Sequence, residues 1–539
     1  MSEDIWALSI ADTAKLIEKG EISPVAVVES CLQRVEAVGS SLDAFITLTP
    51  EIALEQARRA EEEIAAGNYR GPLHGIPFGL KDIYNTAKIL TTAHSRILID
   101  NVPDEDATTT SKLYEAGAIL LGKLATHEFA HGGPSFDLPW PLARNPWNPD
   151  HATGGSSSGS GAAVAAGMVK GAMGSDTGGS IRNPSCLCGI VGIKPTYGLV
   201  SRAGVIANSY TFDHCGPMTW TVEDCAIMLQ ALAAHDPADP ASANVSVPDY
   251  RAALIGDIRG LRIGVIRHFW EEDQNASDAV RNAMDAALDV LSGLGATIEK
   301  TRMRPMQDYY DVKVPIAESE LFAIHADQLR VRPQDFGSDF RGRVLPACLM
   351  SGADYVSAQR ERRTMMAEMA PLYEKYDLLV TAGVAPAGRL GTHQTVSFWQ
   401  KPSIATPFNV TGGPALAQCI GFNEGGLPLS MQIIGKPFDE TTVFRAAHAY
   451  EAATPWRQKR PDVPSANPLV EMPPPAPSLD ESYRDRAASA IAQAGLTLSD
   501  SDFEQVLAAA PHVYDMGGRL RRDRNYGEEP GNTFSFGAQ

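Results

Sequence analysis

The chain lacks any apolar run approaching the ~18 residues that read as a membrane-spanning helix. Basic residues are scarce: 46 Lys and Arg face 65 Asp and Glu in 539 positions, a formal net charge of −19. Nucleic acid and anionic membranes favour Lys- and Arg-rich surfaces, so neither is expected as a partner. The N-terminal MSEDIWALSIADTAK starts acidic and has no apolar core ending in a small-residue cleavage site, so it does not read as a secretory signal. These features predict a soluble, cytoplasmic protein. Cysteine is sparse and unpatterned, with seven residues scattered over the chain. Reduced thiols are expected. Cys186 and Cys188 are too close together for a zinc knuckle, and no metal is expected. No G-x-x-x-x-G-K-[ST] occurs, which excludes a P-loop. The Gly159-Ser-Gly161-Ala-Ala-Val segment lacks the third glycine of a dinucleotide fingerprint. No cofactor is therefore expected. There is no internal repeat and no coiled-coil pattern.

What is present is enough apolar residue, 44%, for a sizeable core. Ser9 caps a helix over 9–18, and Ser23-Pro24 opens a second, with Val25, Val28, Leu32 and Val35 on one face. A third helix covers about 51–65. LHGIPFGLKDIYN reads as a strand running into a loop, and Ile119–Leu121 as a buried strand. GAAVAAGMVKGAM, 161–173, reads as a helix of small residues, after which Gly171–Ser175 returns toward the core. Strand-turn elements follow in IVGIKPT and GLVSRAGVI. Helices are expected over 222–234, 277–294 and 440–452, and strands at 261–267, 376–384 and 428–434. This alternation predicts an α/β fold. Composition changes at Pro461. A main unit over 1–463, a proline-rich extended linker over 464–480 and a helical extension over 481–539 are expected. Helices at 483–494 and 501–510 are read in that extension.

The densest glycine and serine lie in 154–192, GGSSSGSGAAVAAGMVKGAMGSDTGGSIRNPSCLCGIVG. Glycine loses the most freedom on folding, so such density implies close backbone approach. Exposed serine hydroxyls beside free N–H groups suit acyl transfer. A serine needs a base, yet no histidine falls in this segment; His151 and His214 flank it. Gly155-Ser-Ser157-Ser-Gly159 fits the nucleophile elbow of α/β-hydrolases, which needs a strand immediately before the serine. The preceding NPWNPDHAT reads instead as a loop. Lys81 is the other base candidate, walled by Pro77, Phe78, Leu80, Ile83 and Tyr84. A surface pair with Asp82 suits the same residues, as a flexible Gly/Ser loop suits Ser156–Ser158. Two adjacent glycines in Thr177-Gly178-Gly179-Ser180 let successive N–H groups converge on an oxyanion. Asp176 and Arg182 bracket that loop and read as supports.

GIPFGLKDIYNT at 75–86, together with the Gly-Gly-Ser blocks ending at Ser156 and Ser180, resembles the amidase signature family in order and spacing, over residues 1–463. The resemblance implies a large mixed sheet covered by helices on both faces. It also implies a Ser–cis-Ser–Lys triad, with Ser180 as nucleophile, Ser156 as the cis-serine and Lys81 as base, and an oxyanion hole from Thr177, Gly178 and Gly179. GKLATHEFAHGG matches the segment bordering the family's substrate pocket, which makes Thr126, Phe129 and His131 pocket candidates. Asp213 and Asn409, in later family blocks, read as structural.

The implied activity is hydrolysis of a carboxylic amide, aryl amide, ester or carbamate through an acyl-enzyme, with no metal or cofactor and a small-molecule amide as substrate. A homodimer is compatible with it. Aromatics in 300–400 point toward an apolar or aryl amide. The alternative is the amidase subunit of an ATP-dependent amidotransferase. Thr126 stands where that branch commonly carries Asn, which favours a stand-alone hydrolase. The tail resembles that branch's small helical subunit, fused here, although a solvated tail wrapping the main unit fits its residues as well. A catalytically dead scaffold is disfavoured by the intact Lys81, Ser156 and Ser180.

Overall fold

Two neighbouring parallel strands inside one sheet bring the ends of distant segments together. In this computed structural model, residues 5–463 and 479–520 are described. Eleven strands form the sheet: β1 (Phe45–Leu48), β2 (Pro77–Lys81), β3 (Ile119–Leu124), β4 (Gly171–Asp176), β5 (Val191–Lys194), β6 (His214–Thr219), β7 (Arg262–Val265), β8 (Thr297–Lys300), β9 (Leu378–Ala382), β10 (Ala415–Phe422) and β11 (Pro428–Gly435). Their order is β1-β3-β2-β4-β6-β5-β10-β11-β9-β7-β8. β2 runs parallel to both β3 and β4, with Leu80 opposite Met173, while β6, β5, β10 and β11 pair antiparallel. The sheet is mixed, as the family resemblance implies.

Side chains alternate between the two faces of a strand. Ala172 of β4 joins a buried cluster with Val28, Ala53 and Ala162, whereas Met173 joins a second cluster with Phe78, Val222 and Leu288. Helices therefore cover both faces. The capped starts at Ser9 and Ser23 form as read, leading helices Ile10–Glu18 and Pro24–Leu42. The helix Glu440–Ala452 matches its expected span.

Two expectations are corrected. The small-residue helix is shorter than 161–173: it spans Ser158–Ala165 and stops before Gly167, whose φ is +75°. Gly171–Asp176 then forms β4, where a Cβ on Gly171 would fall 2.4 Å from Met228 sulfur. The second tail helix does not end at Ala510. It runs Asp500–Leu520 through Pro511, because Val513, Met516 and Leu520 are buried beyond the proline.

Most of the expected linker, 464–478, lies outside the described residues, as does 521–539 of the expected extension. The tail helices Arg484–Gln493 and Asp500–Leu520 are described. The latter packs on helices Met306–Val331 and Ser338–Val344. Buried Asp502 anchors it, accepting from Arg341 Nε at 2.7 Å and Gln334 Nε2 at 2.7 Å. All seven cysteines are free, and Cys186 and Cys188 are buried in helix Arg182–Cys188. No described helix is long and apolar enough to cross a membrane.

Candidate active site

Lys81 is the last residue of β2, and Asp176 is the last residue of the neighbouring parallel strand β4. The carboxyl ends of parallel strands are where α/β folds place ligands. Lys81 is 0% exposed. Its Nζ donates to Ser156 Oγ at 2.7 Å and to Ser175 Oγ at 2.8 Å. Burial lowers its pKa to about 7, against the opposing pull of Asp213 and Asp176. Asp82 faces elsewhere: it accepts from Thr92 N at 2.8 Å and pairs with Lys123 at 3.3 Å. The surface Lys81–Asp82 pair that the sequence also allowed is not formed.

Ser156 follows a cis peptide bond, Gly155–Ser156, and its Oγ donates to Ala130 O at 2.6 Å. Ala130 has a φ of +59°, a left-handed conformation rare for a side-chain-bearing residue, and it presents that carbonyl. Gly155 leaves room for a neighbouring imidazole. A Cβ there would lie 2.0 Å from His127 Cε1 and 2.4 Å from Nδ1. Gly155→Ala is expected to cost about 1–3 kcal/mol of stability through overpacking. Chemical denaturation measures this, and adding His127→Ala should recover part of the loss. Equal stability of Gly155→Ala and the parent would contradict the contact.

The 177–182 loop is built around a buried ion pair. Arg182 donates to Asp176 from Nε and Nη2, both at 3.0 Å, and further to Gln432 Oε1 at 2.9 Å and Asn409 Oδ1 at 2.7 Å. Burial alone would raise the Asp176 carboxyl, but Arg182 holds it well below the usual carboxylate range. Arg182→Met leaves that buried charge without its cation and is expected to cost about 3–5 kcal/mol. Urea denaturation of this variant should show the loss, with Asp176→Asn added in cis restoring part. A loss below about 1 kcal/mol would remove the pair from the account of the loop.

Gly179, at φ +125°, turns its N–H to Asp176 Oδ1 at 2.8 Å. Its expected place in the oxyanion hole is thereby corrected, since that donor is already engaged. The N–H groups of Gly178 and Ser180 have no acceptor among the described residues. Thr177 is fixed by its hydroxyl, which donates to Asp213 Oδ1 at 2.5 Å. Ser180 is half-buried, and its carbonyl accepts from Ser157 N at 3.3 Å.

The buried hydrogen bond between Lys81 and Ser156 sits within a stretch matched by similarity along the chain. The amidase family model matches residues 26–444. The chain belongs to the amidase signature family. It is 39% identical over 486 residues to the A-type subunit of the glutamyl-tRNA(Gln) amidotransferase of Chloroflexus aurantiacus, covering 85% of this chain and 99% of that one. Among solved structures, the native peptide amidase from Stenotrophomonas maltophilia superposes with a TM-score of 0.75 at 29% identity, covering 84% and 98% of the two chains. A chain from a vestigial protein complex bearing on the origins of an s-triazine catabolic enzyme superposes at 0.77 with 32% identity, covering 83% and 98%. Amidase signature proteins are hydrolases that cleave C–N bonds, and this chain is one of them.

Within this amidase signature core the nucleophile-elbow arrangement is not met. Ser157 Oγ lies between Ser175 N at 3.3 Å and Ser175 O at 3.4 Å, and no strand precedes it. Of the flanking histidines, His214 turns Nδ1 to Phe212 O at 2.6 Å, and burial pushes its pKa well below the ordinary value. The expected pocket residues divide. Thr126 is buried and donates to His127 O at 2.9 Å, on the wall of a small cavity of about 40 Å³. Phe129 packs in an aromatic cluster, 4.2 Å from the His325 ring and 5.6 Å from that of Phe340, so it is core beneath the site. His131 Nε2 meets Glu318 Oε2 at 3.1 Å beside the Phe398 ring. Asp213 and Asn409 are structural, as read. Ser175, the Ala130 carbonyl and Glu318 were not found from sequence, since none carries a local motif.

Proposed function

We propose that the protein hydrolyses a carboxylic amide through an acyl-enzyme on Ser180. The observation that carries this reading is Lys81, a buried amine with pKa lowered to about 7 and hydrogen-bonded to Ser156. A lysine becomes a base only when its charged form is disfavoured, and desolvation does this. As Ser180 Oγ attacks the carbonyl carbon, its proton passes to Ser156 Oγ. The Ser156 O–H turns from Ala130 O toward Lys81 Nζ and hands its own proton on. A hydroxyl can make this transfer because it donates and accepts at once. The carbonyl oxygen takes the negative charge against the N–H groups of Thr177, Gly178 and Ser180, each such donor being worth roughly 3 kcal/mol of barrier. Lys81, through Ser156, then protonates the leaving nitrogen and the C–N bond breaks. Water attacks the acyl-Ser180 ester by the same proton route and releases the acid.

The test is interception. With amide and hydroxylamine present, and neither ATP nor a second protein, the enzyme should form the hydroxamate. Formation only with ATP and a second protein would favour the other reading, a component of an amidotransferase. That reading is supported by the 39% identity to the Chloroflexus amidotransferase component across 99% of its length. Stand-alone hydrolysis is supported by Thr126 and by a fused tail whose helix Asp500–Leu520 packs on helix Met306–Val331.

A further inference from the structure

We propose that Lys313 makes the enzyme selective for amides whose acyl part carries a carboxylate. This rests on Ser180 being the nucleophile. Helix Met306–Val331 carries Lys313 to the 177–180 loop. A Cβ built on Gly178 would meet Lys313 Cε at 3.3 Å and Nζ at 3.8 Å, so this amine lies against the loop that would hold the oxyanion. The Lys313 side chain is only 7% exposed.

Its hydrogen bonds are too few for a buried cation. Lysine has three N–H donors. Among the described residues the one acceptor is Glu318 Oε1, at 3.5 Å, the outer edge of a hydrogen bond. Glu318 is itself shared, because its other oxygen faces His131 Nε2 at 3.1 Å. The Phe398 ring is a further neighbour, its centroid 5.5 Å from Nζ. The other cation on that ring, Arg343, is already engaged, with Nε 2.9 Å from Asp339, which His393 also contacts. A buried charge needs pairing or solvation. A carboxylate on the acyl chain would supply the missing acceptors beside the attacked carbonyl, with Phe398 as an apolar wall. The aromatics of this region, which in the sequence point toward an apolar substrate, thus share the pocket with a cation.

The test compares kcat/KM for malonamate, succinamate and glutaramate with neutral amides of matched length. The wild type should prefer at least one anionic amide. Lys313→Met should lower that preference by between about tenfold and a hundredfold, the range for a hydrogen bond to a charged group, chiefly through KM. Lys313→Arg should restore part of it. A wild type without the preference, or a Lys313→Met ratio unchanged, overturns the proposal. Fluorophosphonate labelling runs alongside as the check on the shared premise. Label on Ser180 with no anionic preference sinks only the role of Lys313, whereas no label on wild-type Ser180 sinks the amidase mechanism beneath it.

Discussion

Ser180→Ala is expected to lower amide turnover by about 10⁴-fold or more, the scale seen when the nucleophile of a serine hydrolase is removed, and to leave the thermal midpoint close to that of the parent. The first half follows from the absence of a substitute. Ser157 is fully buried with its hydroxyl held against Ser175, and Ser156 is engaged between Lys81 and Ala130. Neither can reach a substrate without breaking those contacts. The second half follows because Ser180 accepts the Ser157 N–H through its backbone carbonyl, which alanine keeps. Steady-state kinetics and calorimetry on one preparation check both halves. Turnover within tenfold of wild type would remove Ser180 from the mechanism.

The second large effect is on pH. An ordinary lysine titrates near 10.4, so a lysine base with that value would keep gaining activity into strongly alkaline solution. Burial brings Lys81 to about 7. The neutral amine is the active form and dominates above the pKa. Hence kcat/KM should fall about tenfold per unit as pH drops below about 7, and level off above it. Lys81→Met should lose about 10²–10⁴-fold at pH 8, the range that general-base help contributes. A profile flat down to pH 5, or one still rising through pH 10, contradicts the buried-base account.

How much of this was legible in the sequence depended on whether the determining contacts were local. Capped, amphipathic helices were readable because the signal sits within a turn or two, as at Ser9, Ser23 and the 440–452 helix. β4 was not, because Gly171–Asp176 lacks the branched and aromatic residues that mark a strand. Its small residues are needed instead for Met228 and Met218 to close on it. Pro511 reads as a stop, and the burial that carries the helix onward to Leu520 draws on elements as distant in sequence as helix Met306–Val331. The site shows the same division. Lys81, Ser156 and Ser180 were singled out through the order of three family blocks, and the residues alone left a surface ion pair and a flexible loop open. Ser175 lies 94 positions from Lys81, and the Ala130 carbonyl is a backbone atom, so no spacing rule reaches either. At Gly179 the glycine pair marks a tight turn, but which N–H the Asp176 carboxylate takes is decided by the folded loop and not by the motif.

The most direct measurement is to treat the full chain with a fluorophosphonate and map the adduct by mass spectrometry, with Lys81→Met as control. The account predicts a single adduct on Ser180, formed slowly or not at all in the lysine variant. An adduct on Ser157, or one on Ser180 that forms equally fast without Lys81, would contradict it.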